Sequence, residues 1–214
     1  MAGRKRESAK KRHGRTPRRS GGAPVGLRII GGRFRGRKLD YSGDPRVRPM
    51  KDRVREAVFN LVGPSVQGKH AVDLFAGTGA LGLEAISRGA ERATLIEQHV
   101  PTAAVIRRNV ARLEVESLSD VVTANVFFWA GQPPELGAAP WLVFSSPPFD
   151  FYVDRAGEML DLLGRLIERA PAESIFVVES DGRFDPARLP EPGAWDVRSY
   201  PPAVVAIYRK PAAT

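Results

Sequence analysis

Hydrophobic and polar positions fall into blocks whose period changes along the chain. Short, mostly apolar runs cover Ala71 to Phe75, which carries one carboxylate at Asp73, and Ala93 to Ile96, Val121 to Thr123, Trp141 to Phe144 and Ser174 to Val178. Runs of this length, bounded by glycine, proline or charge, predict buried strands. Between them the apolar positions take helical spacing. Ala80 to Arg88 and Pro101 to Leu113 read as helices, and Tyr152 to Ala170 as one more, with Met159, Leu160, Leu163, Leu166 and Ile167 on its apolar side. An earlier helix starts near Pro49, has Asp52 in its first turn, and presents Val54, Ala57, Val58 and Leu61 at helical spacing. Leu27 to Leu39 reads as a hairpin around a glycine turn. Trp195 to Ser199 and Ala203 to Tyr208 read as two strands joined through Pro201-Pro202. Strand and helix alternate through the body, so the pattern predicts an α/β fold with a doubly wound sheet.

Composition narrows the class. A chain of 214 residues, 43% hydrophobic, accommodates one α/β domain plus extensions. It has no cysteine, which excludes disulfides, a Cys–zinc site, an iron–sulfur cluster and a cysteine nucleophile. His13, His70 and His99 are scattered without metal-ligand spacing, so no metal is expected. No apolar run approaches the roughly 20 residues of a membrane span, and the basic N-terminus lacks a signal peptide's apolar segment. A cytoplasmic protein is expected.

Charge divides the chain unevenly. Residues 1–22 hold nine Lys/Arg against one Glu, and 23–55 hold ten against three Asp, while 56–214 hold fourteen basic and twenty acidic residues. The first 22 residues have almost no apolar content and are expected to form a disordered basic arm, either a contact for RNA phosphates or a solvated tail. An extension over 23–62 and a main domain over 63–214 follow. In the extension, Arg28, Arg33, Arg35, Arg37 and Lys38 would form a compact basic surface around Phe34. That aromatic ring suits base stacking or simply packs the hairpin onto the body. Arg53 and Arg55 project from the next helix toward a substrate or into ion pairs.

The turn after the first main strand, Asp73-Leu-Phe-Ala-Gly77-Thr78-Gly79-Ala-Leu-Gly82, carries the first chemical signal. Glycine lets the backbone turn tightly near a ligand, and the following helix offers free N–H groups. The spacing of Gly77, Gly79 and Gly82 also matches a dinucleotide site, which makes a nicotinamide oxidoreductase a competing reading. Asp73 argues against it: a carboxylate there repels phosphate and suits an ammonium. The D-x-F-x-G-x-G pattern resembles motif I of the class I methyltransferases, whose cofactor S-adenosylmethionine has an amino group, a sulfonium and no phosphate. Asp73, Phe75, Gly77, Thr78 and Gly79 are the cofactor candidates in this turn. Glu97, about twenty residues beyond Gly77, is placed to accept the ribose hydroxyls. Asn125 suits the adenine edge, or forms a turn.

The second signal is Ser146-Pro147-Pro148-Phe149 at the end of a strand. It matches the [Asp/Asn/Ser]-Pro-Pro-[Tyr/Phe/Trp] motif of methyltransferases acting on exocyclic amino groups. An aromatic amine's lone pair is delocalised into the ring and attacks poorly. A side-chain oxygen and a backbone carbonyl can hold its N–H bonds and free that lone pair. Pro-Pro has no N–H donors and stiffens the carbonyl, while Phe149 can stack on the base. Positioning then supplies much of the rate.

Arg28-Ile-Ile-Gly-Gly, Arg35-Gly-Arg-Lys-Leu, Arg48-Pro and Asp52-Arg-Val-Arg-Glu with Phe59-Asn60, together with the glycine turn, closely resemble the RsmD-type methyltransferases. The resemblance runs from about Leu27 to the C-terminal strands. It implies a Rossmann-like class I methyltransferase fold: a seven-stranded, mostly parallel sheet with an antiparallel C-terminal pair and a small N-terminal hairpin extension. It also implies methyl transfer from S-adenosylmethionine to guanine N2 of small-subunit (16S) ribosomal RNA, with ribosomal RNA or the assembling small subunit as partner; a monomer is expected. One departure stands out. The family normally has Asp where this chain has Ser146, a weaker acceptor that must also place its own proton. Asp150 offers a nearby charge. The substitution opens alternatives: an amino methyltransferase for DNA cytosine N4 or adenine N6, or an RNA-binding ribosome-assembly factor with weakened catalysis.

Overall fold

The computed structural model describes residues 26–41, 43, 49–132 and 136–212. The predicted arm over 1–22 lies outside these, as does Arg48. The apolar runs form strands β1 (His70–Asp73), β2 (Arg92–Ile96), β3 (Ser119–Val122), β4 (Trp141–Ser145) and β5 (Ile175–Asp181). β6 (Trp195–Tyr200) and β7 (Ala203–Arg209) close the chain. All seven join one sheet in the order β3-β2-β1-β4-β5-β7-β6. β1 to β5 run parallel, and β7 is antiparallel to both β5 and β6. The expected class I methyltransferase architecture is therefore present.

The order matters for function. From β1 the chain winds outward through β2 to β3, then returns to lay β4 against the other side of β1, with Asp73 in register with Phe144. The strand order thus reverses between β1 and β4. At such a switch the connections leaving the two carboxyl ends diverge and open a crevice. The glycine turn after β1 and the Pro-Pro loop after β4 both emerge there.

Helices cover both faces. On one side α1 (Asp52–Val62), α2 (Ala80–Ser87) and α3 (Val100–Leu113) bury Val58, Phe59, Leu83, Ile86, Ile106 and Val110 against Leu95, Leu142, Phe144 and Val177. On the other, α4 (Val126–Gly131), α5 (Phe151–Asp154) and α6 (Ala156–Arg169) pack Val126, Tyr152, Met159, Leu163 and Leu166 against Val72, Val143, Phe176 and Val178. Successive strand residues point to opposite layers, as the two-residue period requires.

Two elements differ from the pattern reading. The helix expected over Tyr152 to Ala170 is broken at Arg155, whose guanidinium lies over the rings of Phe127 (4.3 Å) and Phe151 (4.9 Å) and pairs with Glu158. The six-residue α4 is too short for periodicity to register, and the Asn125 side chain caps it by accepting the N–H of Phe127 at 2.9 Å. The N-terminal hairpin is small: one antiparallel bridge, Arg28 to Lys38, encloses a 3-10 turn over Gly32–Phe34.

Candidate active site

Asp73 ends β1 and is buried. Its Oδ2 accepts the N–H of Gly82, in the first turn of α2, at 3.2 Å. Its Oδ1 is buried without a hydrogen-bond partner. Burial pushes the Asp73 carboxyl up to about 7; the Gly82 N–H pulls it back, the Glu97 charge adds to the rise, and the Phe75 N–H opposes it most weakly. The orphaned oxygen is the polar group that an ammonium would satisfy.

The glycines divide their roles. Gly77 and Gly79 have φ of 52° and 76°, left-handed values that disfavour a side chain. Gly82 serves packing: a Cβ there would lie 2.9 Å from Leu95 Cδ2, so the glycine brings α2 close to β2. Glu97, just beyond β2, reaches back across the turn. Its Oε2 accepts the Gly77 N–H at 2.9 Å and its Oε1 accepts the His99 N–H at 2.7 Å. Each oxygen retains a lone pair for a ribose hydroxyl. Two carboxylates beside one turn suit S-adenosylmethionine and oppose a pyrophosphate, so the residues present fit the expected cofactor.

The remaining cofactor candidates are placed less uniformly. Phe75 meets Phe151 and Phe127 edge-on, with centroids 5.9 and 6.3 Å apart. Thr78 is buried, and its carbonyl accepts from Asn109 Nδ2 at 3.4 Å. Asn125 is exposed; its Oδ1 accepts the Phe127 N–H in capping α4 and retains a lone pair beside the amide's donors.

At the end of β4 the chain passes from buried Ser145, whose Oγ lies 3.0 Å from the Tyr152 hydroxyl, into the Pro-Pro loop. Pro147 is buried, Pro148 exposed, and Phe149 half-buried against the α1–α3 layer. The Ser146 hydroxyl donates to Oε2 of Glu179, a buried residue of β5. Burial pushes the Glu179 carboxyl up, and the Ser146 hydroxyl partly offsets that. Asp150 is instead mostly exposed and paired with Arg183 at 2.9 Å. Glu179 is absent from the sequence-derived candidates. Its signal was a carboxylate ending the apolar run of the strand beside the motif strand.

The extension lies over α2 and α3. Arg33, Arg35, Arg37 and Lys38 are exposed. Arg33 lies 4.5 Å from the centroid of Phe34, which is half-buried against the α1–α3 layer, so the ring both packs and carries a cation. Arg37 donates to the Arg112 carbonyl, Arg53 to the Pro201 carbonyl, and Arg28 pairs with Asp52 at 3.3 Å. Arg55 requires a correction as an RNA-contact candidate: its side chain is fully buried. It bonds the Arg28 carbonyl at 2.7 Å and Asp52 at 3.0 Å, and faces Glu84 at 3.8 Å. Glu84, itself buried on α2, also accepts the Ile30 N–H and pairs with Arg88. Arg55 holds the extension to the body. Asn109 and Glu84 share that task and were not singled out in the sequence.

Comparison with known proteins adds independent findings. The family model described as "Conserved hypothetical protein 95" matches residues 27–199. The "Ribosomal RNA small subunit methyltransferase D" of Escherichia coli K12 is 42% identical over 167 residues, covering 77% of this chain and 79% of that protein. The solved structure of yhhF from Escherichia coli superposes with a TM-score of 0.70 at 32% identity, over 88% of this chain and 99% of that one. A Thermus thermophilus 16S rRNA N2 methyltransferase, solved with AdoMet and guanosine, shares the fold at 20% identity with a TM-score of 0.65, over 86% of this chain and 49% of that one.

Proposed function

Because the chain belongs to the RsmD-type methyltransferase family, we propose that it transfers a methyl group from S-adenosylmethionine to guanine N2 in small-subunit ribosomal RNA. The carrying observation is the meeting of two loops at the sheet's switch point. One offers an unpartnered buried carboxylate oxygen beside a glycine turn. The other is a Ser-Pro-Pro-Phe loop with its hydroxyl already oriented.

The bound cofactor would supply an electrophilic methyl group on a sulfonium. Asp73 Oδ1 would take its ammonium, and Glu97 its ribose. Ser146 Oγ and the Pro147 carbonyl would accept the N–H bonds of the target amine, and Phe149 would stack on its base. A guanine in a folded RNA must leave its stack to reach this loop. The exposed Arg33, Arg35, Arg37 and Lys38 would hold the neighbouring phosphates.

The same reading includes a monomeric, cytoplasmic enzyme acting on ribosomal RNA or the assembling small subunit. Among the described residues no helix is long and apolar enough to cross a membrane. The reading keeps 1–22 as a basic arm, 23–62 as the RNA-facing extension and 63–214 as the catalytic unit.

The test is transfer of a labelled methyl group to unmodified small subunits and to naked ribosomal RNA, followed by mass-spectrometric mapping of the nucleosides. N2-methylguanine is expected. Methylated DNA with unmodified ribosomal RNA would overturn the reading.

A further inference from the structure

The Pro-Pro loop lacks a carboxylate of its own, yet one stands directly behind it. We propose that Glu179 is a positioning residue that makes Ser146 an acceptor for the substrate amine and removes that amine's proton through the Ser146 hydroxyl. This deepens the amine-methylation reading and rests on it.

Four observations carry the inference. β4 and β5 are parallel, with Ser145 opposite Val178, so Ser146 and Glu179 are the next pair in step. The two are hydrogen-bonded, and the serine is the only possible donor to an ionised Glu179. A hydroxyl has one proton. With that proton committed to Glu179, Oγ can only accept toward the crevice, and the carboxylate polarises it into a stronger acceptor. Glu179 is buried, and among the described residues no Lys or Arg pairs with it. A buried carboxylate without a cation is costly, and a cation arising transiently at the adjacent nitrogen would balance it. Finally, burial raises the proton affinity of Glu179, as a proton acceptor requires. Asp150 is already held by Arg183 and does not compete for this role.

The proton accounting closes. As the amine nitrogen's lone pair formed the new N–C bond, the methyl–sulfur bond would break with its electrons kept by sulfur, which would depart as a neutral thioether; the nitrogen would then be cationic and still carry two protons. One N–H bond returns its electrons to nitrogen. Its proton passes to Ser146 Oγ as the serine's own proton passes to Glu179 Oε2. The hydroxyl is regenerated, the nitrogen is neutral, and the carboxylate has become a carboxylic acid that discharges to solvent before the next cycle.

A carboxylate swap tests this. Glu179→Gln is expected to lower kcat about 100-fold, a typical contribution of a positioned base. KM for RNA, S-adenosylmethionine affinity and Tm should stay near the parent values, and the acidic limb of the pH–rate profile should disappear. Ser146→Asp alone crowds two carboxylates and lowers activity near neutral pH. Added to Glu179→Gln, it moves the carboxylate onto the loop and should recover at least tenfold. A second readout needs no turnover. In the ligand-free protein, the 13C titration of the Glu179 carboxyl should shift to a higher midpoint in Ser146→Ala, because the carboxylate loses its donor. Parent-like kcat and pH profile in Glu179→Gln, no recovery in the double variant, or an unmoved midpoint in Ser146→Ala would each overturn the proposal. If the parent itself leaves ribosomal RNA unmodified, the functional reading fails, while the titration still judges the Ser146–Glu179 pair.

Discussion

Asn109 of α3 grips Asp40 of the N-terminal extension with both ends of its amide. The Asp40 N–H donates to Oδ1 at 2.7 Å, and Nδ2 donates to the Asp40 carbonyl at 3.0 Å. The same Nδ2 lies 3.4 Å from the Thr78 carbonyl, inside the glycine turn. One fully buried side chain therefore ties the extension to the cofactor turn. Asn109→Ala leaves these backbone groups without partners and should cost about 1–3 kcal/mol in urea unfolding. Amide exchange should quicken at Asp40 before it does in the central strands.

The ligand-free Asp73 carboxyl titrates at about 7, raised from an ordinary 3.8, chiefly by burial. The folded state therefore binds more protons than the unfolded chain between these values. The associated stability is present at low pH and is lost as pH rises through about 7. An ammonium ligand favours the charged form, so S-adenosylmethionine affinity should increase over the same rise, with proton release on binding. Asp73→Asn should raise the ligand-free Tm at pH 8. It should weaken S-adenosylmethionine binding by about 1.5–3 kcal/mol, roughly 10- to 150-fold. Calorimetry in two buffers of different ionisation enthalpy reads both effects.

Gly79 caps α2 in a left-handed conformation, and a Cβ would stand 3.0 Å from Ile106 Cγ2. Gly79→Ala should lose about 1–2 kcal/mol from backbone strain alone. The turn's N–H groups would shift with it. Weakened S-adenosylmethionine binding, with the fold retained by circular dichroism, is the expected pair of results.

The arginines of the extension should separate into two kinds. Replacing exposed Arg33, Arg35 and Lys38 together by Ala should leave Tm unchanged. If each meets one phosphate of single-stranded RNA, it should flatten the salt dependence of binding by about two units of slope. Arg55→Ala should instead leave Glu84 short of a buried counter-charge and cost about 3–5 kcal/mol of stability. Fluorescence anisotropy across a potassium chloride series and thermal melts distinguish the two. An Arg55→Ala protein as stable as the parent contradicts the buried-anchor role.

Much of this molecule is local in origin. Four of the five short runs became the inner parallel strands β1, β2, β4 and β5 because a run that must be buried on both faces has few other solutions, while the fifth, β3, is the partly exposed edge. Asp73, the glycine turn, Glu97 and the Ser-Pro-Pro-Phe loop were legible because each is a short motif whose chemistry depends on residue type and near spacing. Placing all of them at the carboxyl ends of strands needed only the strand–helix alternation.

What distance in the chain concealed, only the tertiary structure decided. Arg53 and Arg55 sit two positions apart on α1, and composition treats them alike. Packing turns one to the surface and buries the other against Asp52 and Glu84. Asn125 also caps, through its oxygen, a helix too short to leave a periodic trace. Glu179 lies 33 residues beyond Ser146 and reaches it only because β4 and β5 lie side by side in parallel register. The sequence alone determined which groups could handle a methyl donor and an aromatic amine, since that depends on functional groups. Which carboxylate stands behind the serine depends on strand order and register, and these arise from burial of the whole sheet.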